Sequence, residues 1–373
     1  MDVTLPLDSV AVNGSDQEHD GYIPPADGIA EFKAITAMVK DENLWKALPP
    51  PPPPPHPPTG SRRLVVTADD LGYCPERNRA ILECLARGVV SSTSLLVNAA
   101  YTREAVALIR DAHPGKTALQ LPIGLHLNLT EGKPINESTH TLVAHDGFMR
   151  GKIGFRDAWK NSEITEEHVA MEIRSQIEKY KDLVGCYPLH IDGHQHVHII
   201  PGVADIFARL LVEYGVTRTR LPHEPQLMPC VDYMLRAAPG GRPTARVKFL
   251  IAIDDNCKTA RATFEKHGLR YADRFIGHGV MGPMMTVPRL AANMHVVFRV
   301  GDGESAARRP IACEMMVHPG YVAHPGVGGY GEAGPDEFAR SEDRDDERRT
   351  LQSDALKEII ERYGIELSTA SDL

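Results

Sequence analysis

The sequence is short of cysteines, of basic residues and of long apolar runs, and each shortage argues against a class of protein. The six cysteines among 373 residues form no CxxC pair, so they predict scattered reduced thiols in an intracellular protein. No run of 18 apolar residues occurs, which argues against a membrane span. The 50 acidic residues outnumber the 41 basic ones, and the basic residues form no stripe, so nucleic acid is not an expected partner.

Residues 1–60 differ in composition from the rest of the chain. An acidic polar stretch is followed by one short amphipathic segment and then by a proline tract over 49–58, which is typical of polyproline II structure. We therefore predict a mostly disordered N-terminal extension over 1–60 and one domain over 61–373. The tract is interpreted either as a ligand for a proline-binding module or, more simply, as a stiff spacer.

Past the proline tract, strand-like and helix-like segments alternate along the chain. This order is typical of a parallel sheet, open or closed as a barrel. The sequence predicts strands over 64–68, 93–97, 123–128, 190–192 and 311–317. It predicts helices over 76–87, 102–112, 166–183, 202–213 and 351–363. Residues 225–258 are expected to form an irregular insertion, and residues 323–349 a loop over the site entrance.

Titratable residues stand where several of the predicted strands end. Asp69 and Asp70 follow the first predicted strand, His126 lies within the third, and His318 follows the last. α/β folds keep their chemistry at the carboxyl ends of strands, and ionised groups there are costly unless they are paired or bind a metal. The two adjacent acids therefore predict one metal ligand and one general base.

A histidine-rich segment would complete such a site. Residues 190–198 contain four of the 17 histidines of the chain, together with Asp192. Two imidazoles with one carboxylate suit a divalent metal and leave positions open for water and substrate, which makes the site hydrolytic in type. On a strand, His194 and His196 would share one face, so both are candidate ligands. Asp192 and His190 flank His194 and are candidates to orient it.

Five short motifs occur in an order that resembles one known family. They are TADDLG at 67–72, GVVSSTS at 88–94, GLHLNLT at 124–130, HIDGHQHVH at 190–198 and HPG at 318–320. The set resembles the YdjC-like carbohydrate deacetylases, which include the chitooligosaccharide deacetylases, over roughly residues 62–368. The resemblance implies an α/β fold, a distorted and incomplete (β/α) barrel with parallel strands. The N-terminal extension departs from the family pattern.

The resemblance also implies a role for each candidate residue. Asp70 resembles the metal carboxylate, with His126 as the first imidazole ligand and His194 as the second. Asp69 resembles the base that takes a proton from the attacking water, and His318 is the candidate acid that protonates the leaving amine. The family is described as magnesium-dependent (Mg2+), but magnesium prefers oxygen ligands, and two imidazoles favour zinc (Zn2+) or another transition metal.

The implied reaction is metal-dependent hydrolysis of the acetamide of an N-acetylated amino sugar, with release of acetate. The chain has only two tryptophans, and this small stacking surface favours a short, chitobiose-like oligosaccharide over a polymer. Candidate sugar contacts, each of which is otherwise a structural residue, are Tyr73, Asn98, Asn128, Arg220 and Tyr321. Two alternatives stay open: an amidase or phosphoesterase with a non-sugar substrate, and a non-catalytic interaction protein that uses the proline tract. A homodimer is expected from the family alone.

A cytoplasmic location is expected from two observations. The start of the chain has neither the basic region nor the apolar stretch of a secretory signal. Three N-glycosylation sequons occur, at Asn13, Asn128 and Asn136. The second lies two residues from His126, where a glycan would obstruct the predicted site.

Overall fold

The fold is built around a parallel β-sheet. The computed structural model describes residues 62–228, 231, 244–298, 311–330 and 334–373. The strands of the sheet are β1 (Arg62–Leu71), β2 (Ser92–Leu95), β3 (Ile123–Leu127), β4 (His190–Gly193), β5 (Arg218–Thr219), β6 (Arg274–Ile276), β7 (Ile311–Val317) and β8 (Ile365–Leu367). The predicted extension over 1–60, with its proline tract, lies outside the described residues.

Strand β1 lies inside the sheet, with neighbours on both of its edges. The strand order is β5-β4-β3-β2-β1-β7-β6, and every pairing is parallel. One edge of β1 is shared, since β8 pairs with Arg62–Leu64 and β2 pairs further along from Thr67. Strands β5 and β6 end the described sheet without pairing with each other, so the barrel is incomplete. The predicted distorted, incomplete (β/α) barrel is therefore confirmed.

Helices follow most strands and cover the sheet. They are α1 (Pro75–Ala86), α2 (Thr102–Ala112), α3 (Gly151–Lys160), α4 (Glu166–Val184), α5 (Val203–Glu213), α6 (Ala245–Lys266), α7 (Val287–Phe298), α8 (Glu337–Arg340), α9 (Asp343–Leu351) and α10 (Asp354–Arg362). Helix α4 shows how the sequence sets their ends. The Thr165 side chain accepts the His168 N–H at its start, and Gly185 ends it with φ of 89°, where a side chain would be strained. None of the described helices is long and apolar enough to span a membrane.

The first strand is an almost continuous apolar run because it is buried on both faces. Leu64, Val65, Val66 and Ala68 are fully buried, with β7 along one edge, β8 and then β2 along the other, and helices around the sheet. Parallel strands in α/β folds have this composition, whereas strands with one face in water alternate. A charged residue at the end of such a strand consequently needs a partner inside the protein.

Two expectations about irregular segments are wrong. Residues 245–258 belong to α6 and not to an irregular insertion, because Thr244 caps the helix and its apolar residues pack on the core at helical spacing. The remainder of that predicted insertion lies largely outside the described residues. Residues 323–349 contain α8 and most of α9, and not only a loop. The last predicted helix, 351–363, is observed as α10, which begins after the Ser353 cap.

Candidate active site

The carboxyl ends of the central strands bring charged side chains from distant parts of the chain together. Asp69 and Asp70 lie near the end of β1, His126 near the end of β3, and Asp192 on β4. His126 and Asp192 are register partners on adjacent strands. His318 directly follows β7, and all five side chains are buried. The structure thus brings together residues that stand at separate predicted strand ends in the sequence.

The backbone at Asp70 separates the two adjacent carboxylates. Asp70 has φ of 65°, in the left-handed region that favours glycine, at the point where the register between β1 and β2 shifts. A bulge of this kind re-aims a side chain, and such strain costs about 1–3 kcal/mol and concentrates at functional sites. Asp70 consequently faces two imidazoles, whereas Asp69 faces Arg220.

Three possible metal-binding atoms converge at Asp70. Its Oδ1 lies 3.3 Å from Nε2 of His126 and 3.0 Å from Nδ1 of His194. Ligand atoms of the three residues all lie within 4.8 Å of one another, close enough for a single ion to contact all three. We call Asp70, His126 and His194 the donor trio. Two imidazoles and one carboxylate can hold a divalent metal and leave positions for water and substrate.

Each imidazole of the donor trio is held by a second carboxylate through its other ring nitrogen. Nδ1 of His126 lies 2.7 Å from Oδ1 of Asp192, and Nε2 of His194 lies 3.1 Å from Oε2 of Glu131. An ionised carboxylate only accepts, so each ring donates an N–H there and keeps the nitrogen nearest Asp70 for a metal. Asp192 therefore orients His126, and its expected role beside His194 is wrong.

The histidine-rich segment turns sharply after β4, so its histidines serve different neighbours. Residues 194–199 form a 3₁₀ segment, in which Gln195 and His196 have φ of 51° and 57°. His194 joins the donor trio, whereas Nε2 of His196 lies 2.8 Å from Nε2 of His278. The common strand face that made His196 an alternative ligand is therefore not present, and the geometry favours His194.

Arg220 ties three buried carboxylates together around Asp69. The guanidinium donates to both oxygens of Asp69, at 2.6 and 2.7 Å, and to Oε1 of Glu314 at 2.9 Å. It also lies 2.8 Å from Oδ2 of Asp192. Burial raises the pKa of Asp69, and the charge of Arg220 offsets part of that effect. Asp69 is thus fixed in place by a bidentate contact that allows little rotation.

A second group of potential ligands overlaps the first. Atoms of Asp69, His126 and Asp192 also lie within 4.8 Å of one another. Arg220 contacts both of these carboxylates, however, and its fixed positive charge opposes a cation at that point. The donor trio has one such contact, from Arg77 to Oδ2 of Asp70 at 3.2 Å, and the Oδ1 that faces the two imidazoles is not part of it. The donor trio is therefore the better candidate for a metal.

His318 lies beside Asp69. Its Nε2 is 4.0 Å from Oδ2 of Asp69, and its ring packs edge-on against Phe338 with centroids 5.3 Å apart. The backbone N–H of His318 donates to Glu347 at 2.7 Å, which fixes the turn after β7. Nδ1 of the ring is buried without a hydrogen-bond partner. Burial holds the pKa of His318 well below its usual value, so the ring is neutral at pH 7.

The groups in and around the donor trio favour one another's ionised forms. Burial alone would raise the pKa of Asp70, but the charge of His194 and hydrogen bonds from both imidazoles hold that pKa well below its usual value. Burial likewise disfavours protonated imidazoles, yet Asp192 and Asp69 raise the pKa of His126 to about 10. Asp70 and Glu131 raise the pKa of His194 to about 9. The site therefore favours positive charge, whether it is carried by protons or by a metal.

The sequence did not predict the contacts that three residues make in the candidate site. Glu131 directly follows the GLHLNLT motif, and that position was the only signal for it. Glu314 interrupts the apolar strand β7, and a buried acid in such a strand predicts an ionic partner. Arg220 was considered as a sugar contact, but it is 1% exposed and its guanidinium is held by carboxylates.

The other candidate sugar contacts form hydrogen bonds with other groups of the protein. The Asn128 side chain is fully buried and donates to Asn98 at 3.1 Å, so its sequon is not accessible in the folded domain. The Tyr321 hydroxyl donates to Glu83 at 2.7 Å, and the Tyr73 hydroxyl accepts a backbone N–H. These contacts favour structural roles for all four residues.

The protein is an α/β protein with a candidate metal centre, because its incomplete parallel barrel carries the donor trio at the strand ends. Comparison with known proteins shows the family to which it belongs. The sequence pattern of the YdjC-like protein family matches residues 63–362. A carbohydrate deacetylase of Homo sapiens is 39% identical over 314 residues, which covers 83% of this chain and 91% of that protein. One of Danio rerio is 35% identical over 323 residues, with coverage of 83% and 98%. The chain therefore belongs to the YdjC-like protein family.

A solved structure shares the fold. It is described as that of a candidate cellobiose-phosphate cleavage protein from Enterococcus faecalis, and it superimposes with a TM-score of 0.59 at 23% sequence identity. The match covers 84% of this chain and 99% of the other. At this level of identity the likeness shows the common fold alone.

Proposed function

We propose that this chain is a metal-dependent hydrolase that removes the acetyl group from an N-acetylated amino sugar or a short, chitobiose-like oligosaccharide. The observation that carries the proposal is the convergence of the donor trio beside Asp69, a separate buried carboxylate. Relatives of this chain that are named carbohydrate deacetylases support the choice of an acetylated sugar as substrate.

The donor trio fits a divalent metal by its chemistry. Asp70 would supply one oxygen, and His126 and His194 the nitrogens that face it. This set suits zinc, cobalt, nickel or iron better than magnesium, which prefers oxygen ligands. When bound, the metal would supply Lewis acidity to the carbonyl and to the attacking water.

Asp69 is proposed as the general base. Its contact with Arg220 fixes both carboxylate oxygens, and each oxygen keeps a lone pair for a proton. Burial makes proton uptake easier than for an exposed carboxylate, since it raises the pKa. Asp69 would take one proton from water as the water oxygen bonds to the acetyl carbon.

His318 is proposed to complete the proton transfer. Its ring is neutral, so the proton that it donates must come from the reaction, and Asp69 is the carboxylate within 4.0 Å of its Nε2. The proton would pass from Asp69 to His318 and then to the amine nitrogen as the carbon–nitrogen bond breaks. The immediate products are acetic acid and the free amine, which at neutral pH become acetate and the ammonium form of the amino sugar, so atoms and charge balance.

The test is acetate release from diacetylchitobiose by the purified full chain, with and without a chelator. We expect metal-dependent release and, for Asp69→Asn, a loss of about 100-fold or more in kcat, since general bases contribute on this scale. Elemental analysis should find the metal retained in this variant, because Asp69 is outside the donor trio.

Two matched histidine variants distinguish the loss of a metal ligand from a general effect of removing a histidine from this segment. His194→Ala should lose the metal, whereas His196→Ala should retain it, since only His194 lies in the donor trio. A metal-loaded wild type that releases no acetate would contradict the sugar deacetylase and favour a hydrolase with another substrate. A chain with neither metal nor acetate release would favour the interaction protein.

A further inference from the structure

Tyr330 has a buried hydroxyl without a partner beside the candidate metal site. Its ring centroid lies 6.1 Å from that of His194 and 5.2 Å from that of Tyr73, to which it packs edge-on. The hydroxyl oxygen is buried and makes no hydrogen bond within the described protein. Because buried polar groups almost always have a partner, this hydroxyl is a candidate to bind something the protein does not itself supply.

The surrounding backbone fixes the ring of Tyr330. The N–H of Gly329 donates to the Tyr73 carbonyl at 2.8 Å, and the Gly329 carbonyl accepts from the N–H of Ala100 at 3.3 Å. Gly132 approaches from another side, where an added Cβ would lie only 2.8 Å from Cδ1 of Tyr330. The ring is therefore held in position, and its hydroxyl cannot easily turn towards a partner elsewhere.

Tyr330 and Asp69 lie at different members of the donor trio. Oδ2 of Asp69 is 3.9 Å from Nε2 of His126, whereas Tyr330 packs near His194. The proposed base and the Tyr330 ring consequently lie beside different residues of the donor trio. In amide hydrolysis the base acts on the water, while the carbonyl oxygen gains negative charge and needs a hydrogen-bond donor. A phenol is protonated at neutral pH and can be that donor.

We propose that the Tyr330 hydroxyl donates a hydrogen bond to the acetyl oxygen of the substrate as negative charge develops on it. This inference rests on the proposed deacetylase function and adds a catalytic residue to it. A fixed donor that meets the charge only in the transition state raises kcat and leaves KM nearly unchanged. A contact to a sugar hydroxyl, in contrast, would act mainly on KM.

Tyr330→Phe tests the proposal, and Tyr73→Phe is its matched control. The Tyr73 hydroxyl accepts the N–H of Asp336 at 3.0 Å, so its role is structural, and the two rings are neighbours. Acetate release from diacetylchitobiose, metal content and melting temperature are measured for both variants and the wild type. We expect Tyr330→Phe to lose about 100-fold in kcat with KM, metal content and melting temperature unchanged. Tyr73→Phe should lower the melting temperature and keep kcat.

The outcomes separate this role from the wider function. An active wild type with a Tyr330→Phe variant of equal kcat would overturn the role of Tyr330 alone. A higher KM at constant kcat would also overturn it and would assign the hydroxyl to sugar binding. A wild type that carries metal but releases no acetate would overturn the deacetylase and this role with it.

Discussion

Single residues of the site differ in how directly they would act on a metal. Asp70 and the two imidazoles offer donor atoms, whereas Glu131 and Asp192 hold the far nitrogens of the rings. Partners of this second kind fix the tautomer and orientation of a ligating ring, and their loss typically costs about 10- to 100-fold in metal affinity. Glu131 is the better residue for a test, since Asp192 also contacts Arg220 and its loss would disturb the buried charges.

Glu131→Gln should weaken metal binding without unfolding the domain. The amide keeps the shape of the side chain but loses the charge that favours an N–H at Nε2 of His194. We expect an affinity about 10- to 100-fold lower, measured by competition with a chromogenic chelator. Glu137→Gln, at an exposed position nearby, is the matched control and should bind metal like the wild type. Unchanged affinity in Glu131→Gln would mean that the hydrogen bond does not act on the ligand.

Some pairs of side chains in the site could not be predicted, because their members lie far apart in the sequence. Asp69, Asp70 and His318 stand at strand ends, and parallel topology alone is enough to predict that they meet. The pairing of Glu131 with His194 spans 63 residues, and that of Asp69 with Arg220 spans 151. No local spacing encodes such pairs. The left-handed turn at Gln195 and His196 was not predictable either, because only a few per cent of residues other than glycine adopt a positive φ.

Elements were predictable where burial leaves a long or strongly periodic signal. Strand β7 was expected over its observed bounds, and the helices α2 and α4 to within a residue. The missed strands β5, β6 and β8 have only two or three residues each, too few for any period to show. Helix α9 was missed because its sequence is almost wholly charged and has no apolar residue before Leu351, so no hydrophobic period shows. Its stability comes in part from ion pairs such as Arg348 with Asp345 and Arg349 with Asp346.

Three basic side chains of helices α3 and α6, namely Lys152, Arg156 and Arg246, have no acidic partner among the described residues. The ammonium of Lys152 lies 3.4 Å from the ring centroid of Phe249, with the Arg156 guanidinium at 5.1 Å from the same ring. Arg156 also donates to the carbonyl of Gln195, beside the donor trio. No described carboxylate lies within ion-pair distance of Lys152, Arg156 or Arg246. Burial, and then the charge of Arg156, lowers the pKa of Lys152 to about 8.

An anionic sugar should therefore bind better than a neutral one. We expect a phosphorylated N-acetylated disaccharide to have a lower KM than its neutral counterpart, and Lys152→Met to raise that KM about 10-fold. The KM of the neutral sugar should stay unchanged. Lys160→Met, on an exposed position of the same helix α3, is the matched control. Equal KM values for the two sugars, or an equal effect of both variants, would contradict a role in anion binding.

The whole molecule should show the titration of the donor trio in its stability. His126 and His194 have pKa values of about 10 and about 9 in the folded protein, whereas unfolded histidines titrate near about 6.5. The folded state then binds these protons more tightly than the unfolded state. Their stabilisation is fully present below about pH 6.5 and is lost as pH rises through the folded pKa values. A metal reverses this dependence, since it binds the deprotonated rings.

In chelator-treated protein these two imidazoles should therefore lower the free energy of unfolding by about 3 kcal/mol between about pH 6.5 and 8. Metal-loaded protein should gain stability over the same interval. Other shifted bases offset part of the loss in chelated protein. His190 and His198 have folded pKa values of about 4, so their unfolded forms still release protons near about pH 6.5, and Lys152, with a pKa of about 8, begins to titrate at the upper limit. Urea unfolding at several pH values measures both trends, and chelated His194→Ala should show a clearly smaller loss. Chelated protein that gains stability as pH rises would mean that these imidazoles are not protonated in the folded domain, and the electrostatic account of the site would fail with it.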